Sequence, residues 1–301
     1  MKKFFIRIVL FFMAVAIIDF IFGKCCDYMY EHSQSGDTRK INYAVQECTA
    51  DVLVMGSSRA NHHYNPQILS DSLGLSVYNL GIDGSGVILM DGFYQLISQR
   101  YVPKLIIYEL TPSFDFEKNV ADANNSRYLS QLKPYYRNDC LKQLFDDVDS
   151  RERIKLYSGF YRYNTSFLNL VRFYFSGSEV TGDGYSPLDG VMTNWSSFKV
   201  PQQFQIDSLK ILYLHKFIQD CKNNGTKLVF AVSPRYGATS SVEYQPGFKV
   251  CEEEGCLVLD FFCDTSFVST VEYYNDSYHL NSQGADAYTK VLANKLKTII
   301  K

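Results

Sequence analysis

A serine that follows an apolar strand and a histidine three residues after an aspartate are the two pieces of this 301-residue sequence able to do covalent chemistry together. The first lies in Asp51-Val52-Leu53-Val54-Met55-Gly56-Ser57-Ser58-Arg59, where β-branched and large apolar residues stop at a glycine and two hydroxyls. Such a run reads as a buried parallel strand that delivers its last residues to the carboxyl edge of an α/β sheet. A serine hydroxyl is a weak nucleophile until a base takes its proton, so Ser58 needs a histidine steadied by a carboxylate. Asp276-Ser277-Tyr278-His279 supplies both, with His279 as base and Asp276 as its orienter. Each half alone has a plainer reading, because Gly-Ser-Ser after a strand commonly caps a helix and Asp-x-x-His is an ordinary loop. Ser57 is the nearest rival nucleophile. His62 and His63 are closer in sequence to Ser58, but no carboxylate stands at comparable spacing, and solvent-facing or substrate-contacting positions are expected for them.

The elements that must position these residues follow from the alternation of apolar runs. Strands are expected near 51 to 56, 75 to 80, 104 to 110, 226 to 233 and 256 to 262, and helices near 65 to 73, 86 to 100, 206 to 223 and 282 to 300. That order predicts an α/β fold, a mostly parallel five-stranded sheet with helices on both faces. In the third helix Ile211, Leu214, Ile218 and Cys221 repeat at helical spacing, with Asp207 or Ser208 to cap its start and Asn224-Gly225 to end it. In the last helix Ala285, Tyr288, Leu292, Leu296 and Ile299 share a face behind Asn281 or Ser282. Between about 115 and 205 the alternation breaks, and a helical insertion is expected because a structureless loop of that length is rare.

At the start, Lys2, Lys3 and Arg7 precede a run that is apolar from Ile8 to Gly23 except for Asp19. Counted over residues 4 to 23 it has about the 20 residues that cross a bilayer, and the basic end places everything after Lys24 outside the cytoplasm. A cleaved signal peptide is the rival, although no small-x-small site stands near Gly23. Asp19 is expected near the outer interface, in water or against a partner protein. Residues 24 to 50 read as a polar, irregular tether, and 51 to 301 as one domain. A net charge of −2 offers no basic face for nucleic acid. The eight cysteines show neither the spacing of a small disulfide scaffold nor a CxxC pair, and no HExxH or paired His/Asp spacing points to metal.

Taken in order, the motifs resemble those of the SGNH or GDSL-type hydrolases, including membrane-tethered relatives that act on extracytoplasmic acyl groups. Gly56-Ser57-Ser58 resembles the family's Gly-Asp-Ser block, with Ser57 in place of the aspartate, and Asn79-Leu80-Gly81-Ile82-Asp83-Gly84-Ser85 resembles the second block. Asp276 to His279, followed by Leu280-Asn281 and Gly284, resembles the last. The resemblance covers residues 51 to 114 and 226 to 300. It implies a flavodoxin-like three-layer α/β/α fold, a Ser58-His279-Asp276 triad, an acyl-serine intermediate, no cofactor, and an oxyanion hole from the backbone N–H groups of Ser58 and Gly84. The third block, Gly-x-Asn-Asp, is replaced by Thr111-Pro112-Ser113-Phe114, so its asparagine donor is missing. Ser113, Asn79 and Arg59 are the candidates to replace it, and Arg235, after the fourth strand, is a candidate to bind substrate. The glycines of residues 81 to 86 do not fit the GxGxxG of a dinucleotide site. The implied activity is that of an extracytoplasmic serine esterase or O-acyltransferase acting on acyl esters, with O-acetyl groups of envelope polysaccharide as the expected substrate and a membrane acyltransferase as a possible partner. The alternative, for which the lost third block speaks, is a catalytically inactive binding or scaffold protein of the cell envelope.

Overall fold

The structure is a computed structural model that describes residues 1–118, 128–176, 182–195, 198–200 and 205–300. In chain order its helices and strands begin with α1 (Lys2–Glu31), α2 (Gly36–Gln46), β1 (Val52–Gly56), α3 (Ser58–His63) and α4 (Pro66–Leu73). There follow β2 (Val77–Asn79), α5 (Val87–Ser98), β3 (Leu105–Glu109) and α6 (Pro112–Asp115). Four helices come next, α7 (Lys142–Val148), α8 (Glu152–Lys155), α9 (Gly159–Tyr163) and α10 (Phe167–Phe175). The chain ends with α11 (Ser208–Asn224), β4 (Lys227–Val232), α12 (Gln245–Glu253), β5 (Leu257–Asp260) and α13 (Ser282–Ile300). Two compact units form, one of Tyr43–Asn124 with Val180–Lys301 and the other of Met1–Asn42 with Asn125–Glu179.

In the first unit the strands lie in the order β2-β1-β3-β4-β5, all parallel. Alternation along each strand sends side chains to opposite faces. Val52, Val54, Leu105, Ile107, Val229 and Ala231 pack toward Tyr288, Leu292 and Leu296 of α13. Tyr108 and Phe230 belong to the other set, where Tyr108 meets Phe217 of α11 at 5.3 Å between ring centres and Phe217 meets Tyr94 of α5 at 5.7 Å. Gly56 pairs in register with Glu109, and Glu109 with Ala231, so β1, β3 and β4 end at one level. The sheet order reverses between β1 and β3, which is where open α/β sheets leave a crevice for ligands.

Helix ends follow the expected chemistry. The Asp207 side chain accepts from Leu209 N and Lys210 N, Gly225 closes α11 at φ +79°, and Asn281 Oδ1 accepts from Gly284 N at the start of α13. Helix α12 was not expected from the sequence. Its Pro246-Gly247 start reads as a turn, but proline suits the first turn of a helix, and a side chain at Gly247 would meet the Phe116 ring at 2.6 Å.

The tether expected over residues 24 to 50 is helical instead, formed by the end of α1 and by α2. Polar neighbours hide Ile41 and Ala44, which share a buried face of α2, with Cys48 buried just past its end. The 115 to 205 region carries α7 to α10, yet Tyr185 and Met192 within it join the core of the sheet unit rather than the helices. Residues 119–127, 177–181, 196–197 and 201–204 of that region lie outside the described residues. All eight cysteines are free thiols, with Cys26, Cys48, Cys221 and Cys251 buried.

In the other unit, Cys26 and Tyr30 of α1 pack against Tyr163 and Leu170. Helix α1 is long and apolar enough to cross a membrane, with a mean hydropathy of 2.6 over its most apolar window. Asp19 is partly exposed and turned toward α9. Its carboxylate accepts from Ser158 Oγ at 2.9 Å, Gly159 N at 3.1 Å and Phe160 N at 2.8 Å, the first turn of α9. Two turns on, Asp27 takes a hydrogen bond from Tyr163 OH at 2.8 Å and pairs with buried Arg162 at 3.2 Å.

Candidate active site

At the end of β1 the chain passes from strand to helix through Gly56 and Ser57. Gly56 holds φ +135°, and a Cβ there would stand 2.7 Å from the Glu109 carbonyl oxygen, so only glycine fits. Ser57 is then the extended N-cap of α3, and Ser58 its first residue. Ser57 is buried, with its hydroxyl 3.0 Å from Thr111 Oγ1, which removes it as the nucleophile.

Ser58 Oγ lies 2.8 Å from His279 Nε2 across 221 residues of sequence. On the far side of the ring, His279 Nδ1 is 2.9 Å from Asp276 Oδ2 and 3.1 Å from Oδ1. A carboxylate beside Nδ1 only accepts, so Nδ1 carries the proton and bare Nε2 faces the serine hydroxyl, the tautomer a general base requires. Burial works to raise the Asp276 carboxyl, but the His279 ring and the backbone N–H groups of Tyr278 and His279 outweigh it and hold the group below its ordinary value. The aspartate therefore stays ionised.

Neither early histidine faces solvent. His63 is fully buried, its Nδ1 2.7 Å from Ser233 Oγ and its Nε2 accepting the Leu280 N–H at 3.0 Å. It thereby pins the residue next to His279. His62 is nearly buried and its ring lies 5.8 Å from that of His279, with Nε2 3.2 Å from Asp83 Oδ1. The carboxylate absent near it in sequence is brought to it by the turn after β2.

Two expected substrate contacts prove to be internal. Asn79 is fully buried, donating to Ala60 O at 2.8 Å and Tyr64 O at 3.0 Å while its oxygen accepts from Gly81 N at 2.8 Å, so no donor remains for a ligand. Arg59 borders the cavity but is 5% exposed, and its guanidinium is taken up by Glu109 at 3.1 Å, by Ser233 Oγ and carbonyl, and by Tyr244 OH at 2.6 Å. Asn79 ends β2 with its side chain turned to the backbone of Ala60 and Tyr64, and Arg59, in the first turn of α3, turns toward the ends of β3 and β4. Glu109, whose carboxyl burial raises against the pull of Arg59, also accepts from Tyr64 OH and from Ser233 N and Oγ, which ties β1, β3 and β4 together beneath the nucleophile.

A cavity of about 750 Å³ opens over Ser58 and His279. Ser113 and Arg235 line it as expected, and Thr111, Lys199, Glu243 and Tyr278 line it unannounced by any motif. Arg235 is stacked between Tyr278, 4.0 Å from the ring centre, and Phe198, at 4.8 Å. Gly84, at φ +67°, follows Asp83 in the turn after β2 and is not among the cavity's lining residues. Lys210, buried, donates to the Ser113 carbonyl at 2.9 Å and the Glu117 carbonyl at 2.7 Å, which fixes the segment that stands where the family's third block would be.

No family model matches the sequence, and no curated protein matches it. Among solved structures the chain is similar to a protein described as lipolytic and of the G-D-S-L family from Desulfitobacterium hafniense DCB-2, at 9% identity and TM-score 0.41, over 81% of this chain and 97% of that one. It is similar also to a protein described as an SGNH hydrolase from Slackia heliotrinireducens, at 11% identity and TM-score 0.40, over 81% and 97%. A third is a variant of an acetyl-xylooligosaccharide esterase from Geobacillus, at 10% identity and TM-score 0.41, over 81% and 93%. At such identities and TM-scores these likenesses carry no argument about the chemistry.

Proposed function

We propose that this chain is an SGNH-type serine esterase or O-acyltransferase that works through an acyl-serine intermediate. The observation that carries the reading is one hydroxyl, one imidazole and one carboxylate in hydrogen-bonded line at the mouth of a cavity. Ser58 Oγ attacks the carbonyl carbon of an acyl ester while His279 Nε2 takes its proton. Collapse of the tetrahedral intermediate expels the alcohol, to which His279 returns the proton. Water or a second hydroxyl then attacks the acyl-serine by the same steps in reverse, so hydrolase and transferase differ only in the acceptor. Asp276 stabilises the imidazolium that forms in each half. The developing oxyanion takes the Ser58 backbone N–H at the first turn of α3, with the Ser113 hydroxyl of the cavity wall as a further donor in place of Gly84, which lies outside the lining. Each such donor is worth on the order of 2.7 to 4 kcal/mol in the transition state.

Acyl groups on carbohydrate suit the cavity, where exposed Tyr278 offers an aromatic ring and Arg235 and Lys199 offer donors for hydroxyls. O-acetyl groups of an envelope polysaccharide are the substrate we assign, with a membrane acyltransferase as donor if the enzyme transfers. Helix α1 is read as a retained anchor that holds the catalytic unit outside the cytoplasm. Support comes from Asp19: cleavage near Gly23 would remove the carboxylate that Ser158 Oγ and the backbone N–H groups of Gly159 and Phe160 donate to. A catalytically inactive scaffold is the second reading, favoured by Thr111-Pro112-Ser113-Phe114 at the place of the third block.

Incubating the purified protein with a fluorophosphonate probe and with p-nitrophenyl acetate separates the two. Wild type is expected to label at Ser58 and to hydrolyse the ester, and Ser58→Ala to lose all labelling and on the order of 10³-fold or more in kcat. Absence of labelling in folded wild type, or equal labelling of Ser58→Ala, removes the enzyme reading.

A further inference from the structure

The helical unit holds a carboxylate from α1 and the start of α9 at one height, and that height can be read against a bilayer. We propose that residues 157–160 and the first residues of α10 are embedded at the outer edge of the membrane's hydrocarbon, so that this unit docks on lipid rather than standing clear of it. The inference rests on α1 being a retained span and is independent of the esterase reading.

The depth follows from length. If the span ended before Asp19, the unbroken apolar run would be residues 8 to 18, about 16 Å of helix at 1.5 Å per residue. That is roughly half of the ~30 Å hydrocarbon core. The span must therefore run on through Phe20, Ile21 and Phe22, which places Asp19 about one helical turn, roughly 5 Å, inside its outer end. A carboxylate there needs donors, because lipid supplies none. Its three donors are Ser158 Oγ and the backbone N–H groups of Gly159 and Phe160. Residues 158–160 consequently lie at the depth of Asp19.

The contact is too close to be incidental. A Cβ at Gly159 would stand 2.4 Å from Gly23 Cα and 2.6 Å from the Asp19 carbonyl oxygen, the close backbone approach that small residues allow between helices in membranes. Around it exposed apolar side chains gather, with Tyr157 at their border on a cleft lined by Arg137, Asp139, Lys142 and Arg153. Tyr157 is 75% exposed, Phe160 45% and Leu168 80%, and Phe22 of the span stacks on Phe160 at 4.6 Å and meets Phe167 at 5.3 Å. Phe20 and Ile21 of α1, beside Phe22, are exposed as well, at 62% and 56%. Asp27 and Arg162, a turn above Gly23, mark the level at which charge resumes.

The test uses the full chain in phosphatidylcholine vesicles brominated at carbons midway along the acyl chain, with single tryptophans placed in a Trp195→Phe background. Phe12→Trp reports the span, Leu168→Trp and Tyr157→Trp report the docked face, and Leu212→Trp on α11 reports water. Bromolipid is expected to quench most of the emission at positions 12, 168 and 157 and iodide little of it, with the reverse at 212. Two substituted positions on the docked face guard against one that disturbs folding. Iodide quenching at 168 and 157 with bromolipid quenching at 12 overturns the docking and leaves the anchor standing. Shielding of 168 and 157 from both quenchers also overturns it, in favour of a protein partner or a second copy. If position 12 resists bromolipid the anchor itself fails, and the docking with it, whereas Ser58 labelling is unaffected by any of these outcomes.

Discussion

His63 shows how a buried residue can fix the position of one at a cavity. Its ring closes a chain from Glu109 through Ser233 Oγ to Leu280 N, each link a buried hydrogen bond, and Leu280 follows His279, the proposed base, directly. His63→Leu leaves the Leu280 N–H buried without a partner, a loss of about 1–3 kcal/mol in denaturant unfolding. Because the peptide that carries His279 is then less fixed, kcat toward p-nitrophenyl acetate is expected to fall about tenfold, equivalent to 1.4 kcal/mol, with KM little changed. An unchanged kcat in a folded variant would show that His63 only fills space. Sequence reasoning placed Ser58, Asp276 and His279 at the sheet edge because a strand ending in Gly-Ser-Ser and an Asp-x-x-His before a capped helix are local patterns. Asn79 and Arg59 were misread for the complementary reason. Nearness to a strand end is visible in sequence, but which way the side chain turns depends on contacts with Tyr64, Glu109 and Ser233, up to 174 residues away.

At the scale of elements, α5 carries a feature that its apolar pattern conceals. Asp91 is fully buried, its Oδ2 accepts from Gln95 at 2.6 Å, and its Oδ1 has no partner. Burial, with the Asp220 charge adding to it, pushes its carboxyl up to about 7. The folded value is above the ~3.9 of an unfolded aspartate, so the bound proton stabilises the fold. That contribution is complete below about pH 4 and is lost as pH rises through 7. Asp91→Asn, which cannot ionise, is expected to gain about 1–3 kcal/mol at pH 8 and almost nothing at pH 4. Thermal melts at the two pH values check this, and an equal shift at both would refute it. The long helices and the strands were legible from periodicity and caps. Helices α2 and α12 were not, since Pro, Gly and polar residues look like loop until buried neighbours explain them.

For the molecule as a whole, composition announced one domain behind a tether, whereas the chain builds two compact units and leaves no irregular tether between α1 and β1 among the described residues. What composition could not convey is that residues 125–179 return to the N-terminal helix, since such pairings are set by contacts like Asp19 to Ser158 and Asp27 to Arg162, distant in sequence and silent in periodicity. The eight thiols belong to the same scale. None is cross-linked, and four are buried in ordinary packing. Cohesion therefore comes from apolar burial and the hydrogen-bonded strand ends, not from covalent loops. Melting midpoints measured with and without dithiothreitol are expected to coincide, and a lower midpoint under reductant would expose a bridge. A polypeptide so built needs no thiol oxidase or disulfide isomerase to reach its fold, so the redox poise on either side of a membrane leaves its maturation unchanged.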